Sequence, residues 1–505
     1  MSITAAASVT SDVPLSRTTV PATVDRQHML GQFLSSRSVA DLLASFAEFD
    51  GGDVRMLEAG AGAGVLVAAA VHFACTAKKR PRSFSVDAWE VDEAVILALR
   101  QTLDDCRHEC VASGIHFAAR LHHGDFIESA VERVREDWFA TTDPGYNLAL
   151  LNPPYRKIKS DSRERLLLRS AGIETSNLYT GFLSLAARLL DPSGQLIAIT
   201  PRSFCNGPYF RPFREELLTR LALRRVHVFE SRSAAFRGDS VLQENVVVHA
   251  VRSDANGTPV TISSSSGEPG AAMRERVVPY REVVRPDDPE RFIRLPSEDH
   301  FASAGDAVAR LDSTLTDLGL TVSTGRVVEF RARDYLRAEP ALDTVPLVYP
   351  SHFEGGWVQW PRAASRKPNA ILHCAATEEL FVPEGIYVLV KRFTSKEERR
   401  RVVACIWDPA RTAQGFVGFE NHLNYFHIRN TGLERQLAHG LAAFLNSTVL
   451  DHSFRLFSGH TQVNATDLRS MRYPSRTALL KLGNLIAPGS PQEVIDAAVE
   501  EIALA

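Results

Sequence analysis

The segment VRMLEAGAGAG, residues 54–64, joins an apolar strand pattern to glycines at alternate positions. Glycine adopts positive φ angles without strain and lets a ligand approach the backbone, and open α/β sheets bind ligands at the carboxyl ends of parallel strands. The segment therefore predicts a strand-to-helix turn with Gly60 and Gly62 beside a nucleotide-like cofactor. Val65 stands where the GxGxxG dinucleotide fingerprint has its last glycine, which argues against NAD or FAD.

Strand-like and helix-like patterns alternate from about residue 51 to residue 252. This alternation is typical of a mostly parallel sheet covered by helices on both faces. We predict a Rossmann-like α/β fold with seven strands in the segments VRMLEAG, SFSVDAWE, IHFAARLHHGD, NLALLNPP, GQLIAITP, RRVHVFES and ENVVVHAVR. No helical pattern separates the last two segments, so we expect the sheet to finish with an antiparallel pair.

The length of 505 residues exceeds the size at which one hydrophobic core keeps growing, which predicts two domains. Residues 253–272 are rich in Gly, Ser, Pro and Asn, a composition typical of a boundary. Short strand patterns with turns dominate the chain beyond it, which predicts a mixed α+β domain. The predicted divisions are a disordered tail over residues 1–25, a first domain over 26–255, a loop-rich linker over 256–290, a second domain over 291–485 and a C-terminal tail over 486–505.

The composition is that of an ordinary globular protein, with 45% hydrophobic and 23% charged residues. Apolar runs stop well short of the roughly 18 residues that cross a membrane, and the N-terminus lacks a signal pattern, so we expect a cytoplasmic protein. The net charge of −3 argues against a protein that coats nucleic acid but allows a local basic cleft. Six cysteines without a CxxC pair predict buried reduced thiols and no metal site.

Acidic residues stand at the ends of three consecutive predicted strands: Glu58, Glu90 and Asp125. Glu58 would attract a cationic amino acid or a sulfonium group, Glu90 can accept from both hydroxyls of a ribose, and Asp125 can accept from an adenine amino group. Phe126 follows Asp125 and offers a stacking face. Each carboxylate alone is more often a solvated loop residue, but their recurrence at successive strand ends favours a cofactor site.

The segment LALLNPPYRK, residues 148–157, ends an apolar strand with Asn-Pro-Pro-Tyr. The two prolines remove two backbone donors and fix their own φ angles, so the turn can neither extend the strand nor begin a helix cleanly. A rigid turn at the carboxyl end of a strand indicates a functional position.

The order GxGxG, strand-end Glu, GDF and NPPY resembles the S-adenosylmethionine-dependent amino methyltransferases, in particular the gamma class of DNA adenine-N6 methyltransferases. The segment GQFLSS, residues 31–36, resembles the cofactor motif GQFxTP of that class, with Ser35 and Ser36 in place of Thr-Pro. The resemblance implies S-adenosylmethionine as cofactor. Its implied binding residues are Ser35, Glu58, Gly60, Gly62, Glu90, Asp125 and Phe126.

The resemblance also implies a role for each residue of the NPPY turn. An exocyclic adenine amine is a poor nucleophile, and the Asn152 side-chain oxygen and the Pro153 carbonyl would accept its two hydrogens so that its lone pair faces the methyl group. Pro153 and Pro154 hold that carbonyl outward, and Tyr155 would stack on the base. Phe236 occupies the position of the second stacking aromatic, although an ordinary core phenylalanine fits the sequence equally well. The target base would be flipped out of the duplex, and no metal is needed.

The NPPY tetrapeptide also serves enzymes that methylate a glutamine amide or ribosomal RNA bases, so the polymer must be inferred from the second half of the chain. The segment at residues 391–411 is basic with interleaved aromatics, which is typical either of a solvated face or of a nucleic-acid contact. With its neighbours it resembles the target-recognition region of type II restriction-modification methyltransferases. The candidates for DNA contact are Arg326, Lys391, Arg392 and Gln462.

The sequence thus predicts a site-specific DNA adenine-N6 methyltransferase that acts on double-stranded DNA as a monomer. It would protect DNA from a cognate restriction endonuclease that recognises the same site without stable association. An RNA adenine-N6 methyltransferase is the alternative enzyme. A non-catalytic nucleic-acid-binding protein on a methyltransferase fold is disfavoured because Glu58, Glu90, Asp125 and the complete NPPY are present.

Overall fold

A computed structural model describes residues 36–136, 145–229, 244–253, 257–267, 272–286, 288–295, 307–308, 310–363, 366–394, 398–413, 415–457 and 462–504. Ser35, Phe236 and the predicted tail over residues 1–25 lie outside these ranges. The chain divides into two compact units, Met1–Ile199 and Thr200–Ala505. The domain boundaries predicted from the sequence remain a prediction.

A parallel sheet with helices forms the first unit. Its strands are β1 (Asp53–Ala59), β2 (Ser83–Glu90), β3 (His116–His123), β4 (Tyr146–Leu151) and β5 (Leu190–Pro201, whose last residues lie past the division). Its helices are α1 (Arg37–Ser45), α2 (Val65–Thr76), α3 (Glu93–Ala112), α4 (Phe126–Glu136), α5 (Arg163–Ser170) and α6 (Leu178–Leu189). The strand order is β3-β2-β1-β4-β5, with all neighbours parallel.

The strand order places the candidate site. Strands β2 and β3 lie on one side of β1, whereas β4 and β5 lie on the other side. The direction of strand addition therefore reverses between β1 and β4. Open α/β sheets bind ligands in the crevice outside the carboxyl ends of the strands at such a reversal. The register aligns Glu58 with Ala88 and Glu90 with His123, so the strand ends share one edge. Met56 and Leu57 in β1 are fully buried, as expected for a strand covered on both faces.

The second unit begins with strands β6 (Leu221–Phe229), β7 (Asn245–Arg252), β8 (Val260–Ser265) and β9 (Arg274–Val278), in the order β7-β6-β8-β9. Helices α7 (Arg211–Arg220) and α8 (Tyr280–Val283) flank them. Strands β6 and β7 pair antiparallel, as predicted, but the sheet does not finish with them, because β8 and β9 continue it beyond β6. Strands β8 and β9 are additional to the seven predicted ones and lie where a loop-rich linker was expected. Ser263 and Ser265 read as loop residues in the sequence, but in β8 they are buried and hydrogen-bonded to His227.

The rest of the second unit is a mixed α+β structure, as predicted. Its strands are β10 (Thr321–Thr324), β11 (Leu336–Arg337), β12 (Thr344–Val348), β13 (Phe353–Glu354), β14 (Trp357–Val358), β15 (Ala370–Leu372), β16 (Phe381–Val382), β17 (Tyr387–Lys391), β18 (Ala404–Trp407), β19 (Val417–Phe419) and β20 (Leu423–His427). They form two sheets, β10-β20-β17-β18-β14-β13 and β11-β15-β12-β19-β16. The helices that follow are α9 (Arg435–Leu445), α10 (Thr448–Phe457), α11 (Ala465–Arg469), α12 (Arg476–Leu485) and α13 (Gln492–Ala503).

Helices α9 and α12 cross closely in the core of this unit. A side chain on Gly440 would collide with the Leu479 carbonyl, and one on Gly483 with the Gln436 carbonyl, so only glycine allows the approach. Helix α13 adds buried Ile495 and Val499 to the same core, although the sequence suggested a tail there. Over the described ranges, every helix is too short or too polar to cross a lipid bilayer.

Candidate active site

A cavity of about 170 Å³ opens at the carboxyl ends of the strands of the first unit. It brings together seven of the residues predicted from the sequence: Gly60, Gly62, Glu90, Asp125, Phe126, Asn152 and Pro154. Residues that the sequence did not single out complete the lining: Trp89, Val91, Val95, Gly124, Ile127, Arg156, Glu164, Leu178 and Phe182. The glycine turn, the carboxylates Glu90 and Asp125, and part of the NPPY turn therefore share one concave site. Glu58, Pro153 and Tyr155 are not among the residues that line it.

The glycine turn is a tight loop between β1 and α2. Gly60, Gly62 and Gly64 have φ angles of +78°, +55° and +82°, a region that favours glycine. The backbone N–H groups of Gly60 and Ala61 both donate to the Trp89 carbonyl at 2.9 Å, which ties the loop to the end of β2. Gly64 also packs closely against α3, because a Cβ there would lie 2.8 Å from Leu99 Cδ1. The loop leaves backbone rather than side chains at the cavity wall.

The Glu90 carboxylate is buried and held by backbone donors. Its Oε2 accepts from the Gly62 N–H at 2.7 Å, and its Oε1 accepts from the Val91 and Asp92 N–H groups at 2.8 and 2.7 Å. Only 2% of the residue is exposed. Such charge-assisted bonds fix a carboxylate in one position. Glu90 thus couples the end of β2 to the glycine turn.

Glu58 is the second buried carboxylate of this edge, with 1% of the residue exposed. Burial first, and the neighbouring Glu90 charge second, raise the pKa of Glu58 well above its usual value, while a hydrogen bond from Val67 lowers it. Within the described part of the chain, no donor reaches Glu58 Oε2. An unsatisfied buried acceptor beside a second carboxylate creates a place where a positive charge would be stabilised.

Asp125 and Phe126 lie where β3 leads into α4. The Asp125 Oδ1 accepts from the Ile127 N–H at 2.8 Å, which holds its carboxylate at the start of the helix. Phe126 is 2% exposed and packs against Trp89 and Phe182, with ring centroids 5.6 and 5.2 Å away. The three rings form an aromatic wall of the cavity.

The NPPY turn leaves β4 and reaches the cavity through Asn152 and Pro154. The Tyr155 hydroxyl lies 3.0 Å from Asn152 Oδ1, to which it donates, and 3.2 Å from the Ile199 carbonyl. Burial raises the pKa of the Tyr155 phenol far above its usual value, so the hydroxyl stays protonated and able to donate. Among the described residues, no hydrogen bond to the Pro153 carbonyl is formed, so its acceptor capacity is not used by the chain.

Trp89, Arg156 and Glu164 are cavity residues that sequence reasoning missed, whereas Leu178 and Phe182 lie on the helix after NPPY, which the family resemblance places at the pocket. Leu178 and Phe182 stand four residues apart at the start of α6, the spacing that places two side chains on one helix face. That spacing in the segment NLYTGF was a usable signal. Trp89 and Glu164 gave no such signal, because one reads as strand core and the other as a solvated helix residue.

The four candidates for DNA contact lie in the second unit. Arg326 donates to the carbonyls of Glu379 and Phe381 at 3.2 and 3.3 Å and to Asn430 Oδ1 at 3.3 Å. Arg392 donates to the Asn421 carbonyl at 3.2 Å.

Lys391 lies at the end of β17 with its Nζ 5.9 Å from the Phe353 ring centre. An isolated β-bridge pairs Gln462 with Phe393, the residue after Arg392. Lys391, Arg392 and Gln462 are therefore neighbours. Within the described ranges, no group of three or more His, Cys, Asp or Glu side chains is placed to hold a metal ion.

Comparison with known proteins identifies the class. Residues 113–236 match the Eco57I restriction-modification methylase family. The chain is 42% identical over 457 residues to the type II methyltransferase M.PstI of Providencia stuartii, covering 90% of this chain and 89% of that protein. It is 39% identical over 498 residues to the type II methyltransferase M.BsuBI of Bacillus subtilis, covering 97% of each.

Among solved structures, the type IIL restriction-modification enzyme MmeI in complex with DNA has a TM-score of 0.52 at 11% identity, over 92% of this chain and 72% of that one. This likeness shows the fold alone. The fold is that of a restriction-modification methylase. The chain belongs to the family of type II restriction-modification DNA methyltransferases, and its cofactor is S-adenosylmethionine.

Proposed function

We propose that the protein transfers a methyl group to N6 of an adenine in a short sequence of duplex DNA, after that base has been flipped out of the helix. The observation that carries this proposal is the position of the Asn152 carboxamide in the same cavity as Glu90 and Asp125. An amide oxygen beside a cofactor cavity is suited to a substrate that presents a conjugated NH₂ group.

The residues of the cavity fit the cofactor. S-adenosylmethionine supplies an electrophilic methyl group on a positively charged sulfur. The buried Glu58 oxygen without a donor and the nearby Glu90 carboxylate favour a positive charge at this edge. The proposed contacts are the glycine turn at Gly60 and Gly62, Glu90 to ribose, Asp125 to the adenine amino group and Phe126 as a stacking face; Ser35 remains a further proposed contact.

Asn152 and Pro153 are the proposed catalytic acceptors. The Asn152 carboxamide oxygen accepts from the Tyr155 hydroxyl, and a carboxamide oxygen can accept more than one hydrogen bond. This oxygen would take one N6 hydrogen, and the Pro153 carbonyl would take the other. With both hydrogens accepted, the amine nitrogen can direct its lone pair at the methyl carbon. Pro153 has a fixed φ angle, and Pro154 restricts the ψ angle of the residue before it, so the turn limits the directions in which the Pro153 carbonyl can point.

Tyr155 has two proposed roles. Its ring would stack on the flipped adenine, an interaction worth roughly 1–3 kcal/mol for a base on an aromatic side chain. Its hydroxyl would hold the Asn152 carboxamide in one orientation. Phe236 is the proposed stacking residue on the other face of the base.

The second unit is proposed to recognise the DNA sequence. We propose residues 26–255 as the catalytic domain, 256–290 as the connecting region and 291–485 as the target-recognition domain. Arg326, Lys391, Arg392 and Gln462 stay candidates for DNA contact. The modification would protect the host's DNA from a restriction endonuclease with the same recognition sequence, which need not associate with this protein.

The test is expression in a bacterial host without adenine methylation, followed by modification-sensitive sequencing of its genomic DNA. We expect N6-methyladenine confined to one short motif. The Asn152→Ala variant should lose methyl transfer by a factor on the order of 100 or more while binding the cofactor nearly as well as the wild type. Asn484→Ala, which removes an exposed asparagine of α12, is the matched control and should methylate normally.

Unmodified DNA from a folded, cofactor-binding protein would contradict the proposal and direct attention to RNA or protein amide substrates. Full transfer by Asn152→Ala would contradict the assignment of Asn152.

A further inference from the structure

The segment RKIK, residues 156–159, follows the NPPY turn directly and carries three cations in four residues. The whole chain has a net charge of −3, so this local concentration of positive charge is not a property of the average surface. Arg156, Lys157 and Lys159 are all exposed, while Ile158 between them is buried with 6% exposure. We call the three cations the basic rim.

The backbone of the basic rim is held against the start of α6. The Leu178 N–H donates to the Arg156 carbonyl at 2.8 Å, and the Ile158 N–H donates to the Ser176 carbonyl at 2.9 Å. An isolated antiparallel bridge pairs Lys157 with Asn177. These interactions on both sides of Lys157 fix the backbone that carries the basic rim.

Arg156 connects the basic rim to the cavity, which it lines together with Asn152. Its Nη2 donates to Glu164 Oε1 at 2.8 Å, and its side chain stays 42% exposed. An exposed ion pair contributes little to stability and exchanges readily for a stronger partner. Glu164 therefore orients the guanidinium at the cavity without burying it.

Lys157 and Lys159 differ from the arginines of the neighbouring helix. On α5, Arg163 pairs with Glu128, and Arg165 and Arg169 pair with Glu174. In the part of the chain that the structure describes, neither lysine has a carboxylate within ion-pair distance. The local carboxylates pair with the arginines of α5 and with Arg156 but leave Lys157 and Lys159 without such a partner among the described residues.

We propose that Arg156, Lys157 and Lys159 bind the backbone phosphates on either side of the flipped nucleotide. A base that enters the cavity remains attached to its sugar and phosphates, so those phosphates must lie at the cavity's opening. The Arg156 guanidinium lines this cavity, and the exposed Lys157 and Lys159 follow it within three residues, so the basic rim supplies cations close to these phosphates. On DNA binding, Arg156 exchanges Glu164 for a phosphate. The inference rests on the proposed function, because it needs a nucleic-acid strand as substrate.

Phosphate contacts contribute affinity and salt dependence but carry no base information. The basic rim therefore adds to the binding of every DNA sequence by the same factor. It acts from within the catalytic unit, separately from the candidate residues of the second unit.

The test uses the full chain with Lys157→Gln and Lys159→Gln combined. The control combines Lys78→Gln with Lys79→Gln. These two exposed lysines follow the C-terminal end of α2, and the glycine turn lies at the other end of that helix. Dissociation constants for duplexes with and without the methylated motif are measured by fluorescence anisotropy between about 50 and about 200 mM salt. Cofactor affinity is measured by calorimetry.

We expect the Lys157/Lys159 variant to bind both duplexes several-fold more weakly, with the slope of log affinity against log salt shallower by about 1.8, since each lost contact removes about 0.9. Cofactor affinity and the Lys78/Lys79 control should match the wild type. If the Lys157/Lys159 variant has the same salt slope as the control and still methylates DNA, phosphate binding by the basic rim is contradicted but the proposed function is not. A wild-type chain that neither binds nor methylates DNA would overturn the proposed function and the rim with it.

Discussion

The cavity of the first unit and the basic residues of the second unit use their polar groups in opposite ways. In the cavity, hydrogen bonds from the protein itself fix the acceptors in position. Three backbone N–H groups donate to the Glu90 carboxylate, and the Tyr155 hydroxyl donates to Asn152 Oδ1. In the second unit, Arg326 and Arg392 donate to carbonyls of their own chain. The first arrangement prepares groups for a ligand, whereas the second uses guanidinium groups to brace loops.

The difference teaches that charge alone does not identify a contact residue. A guanidinium that already satisfies several carbonyls must break those bonds before it can bind DNA. Lys391 is the exception among the candidates, because its ammonium faces an aromatic ring and has no carboxylate partner in the described ranges. Substitutions can test how far this contrast between the two regions holds.

The largest effect on cofactor binding is expected for Glu90→Gln. The amide keeps the shape but loses the charge that strengthens its bonds to the glycine turn and, as proposed, to the ribose, so cofactor binding should weaken by about 1–3 kcal/mol. Calorimetry with S-adenosylmethionine measures the change. Glu132→Gln, a change of an exposed carboxylate on α4, is the control. If Glu90→Gln binds the cofactor as tightly as the wild type does, the charge of the Glu90 carboxylate does not contribute to cofactor binding.

Tyr155→Phe separates the hydroxyl from the ring. Loss of one hydrogen bond to Asn152, worth about 0.5–1.5 kcal/mol, should reduce kcat about threefold to tenfold while KM for DNA stays near the wild-type value, because the ring can still stack. Steady-state methylation kinetics give both parameters. Tyr209→Phe changes an exposed tyrosine and should have no effect. A rise in KM with kcat unchanged would assign the hydroxyl to DNA binding rather than to the orientation of Asn152.

Glu58→Gln tests the buried carboxylate through stability and pH. A raised pKa means that the folded protein keeps a proton which the unfolded chain releases near pH 4.5, so stability falls as the pH rises from there through the raised pKa. Glutamine does not titrate, so the Glu58→Gln variant does not lose stability in this way as the pH rises. Without cofactor, we expect a melting temperature a few degrees higher than that of the wild type at about pH 8 and no gain at about pH 4.

The same Glu58→Gln variant should bind S-adenosylmethionine about tenfold more weakly, since it no longer offers a negative charge to the sulfonium. Scanning calorimetry and titration calorimetry measure the two effects. A variant that is less stable at high pH, or that binds the cofactor as well as the wild type does, would show that Glu58 is a packing residue.

The smallest effect is expected for Lys391→Gln compared with Arg326→Gln. Loss of one phosphate contact by Lys391 should weaken DNA binding about threefold and lower the salt slope by about 0.9. Arg326→Gln should instead lower the melting temperature, because it removes hydrogen bonds within the unit. Lys481→Gln, an exposed lysine of α12, is the control. If Arg326→Gln weakens DNA binding without lowering the melting temperature, Arg326 contacts DNA rather than stabilising the second unit.

Much of the cavity was predictable because it follows strand ends. Glu58, Glu90 and Asp125 each come at the end of a hydrophobic strand pattern, and parallel strands bring such ends to one edge. Asn152 is marked by two prolines that no regular element would place there. The carbonyl-bound state of Arg326 could not be predicted, because its partners near residues 379, 381 and 430 are distant in sequence.

The sequence by itself determined the α/β order of the first unit, the antiparallel pair of β6 and β7, and the strand-end positions of Glu58, Glu90 and Asp125. These features depend on local periodicity and on motifs a few residues long. Only the tertiary structure decided that Trp89 and Phe182 form the aromatic wall, that serines of β8 are buried strand residues, and that Lys157 and Lys159 remain without carboxylate partners in the described ranges. Those outcomes depend on contacts between segments far apart in the chain, and a linear pattern carries no information on which segments meet.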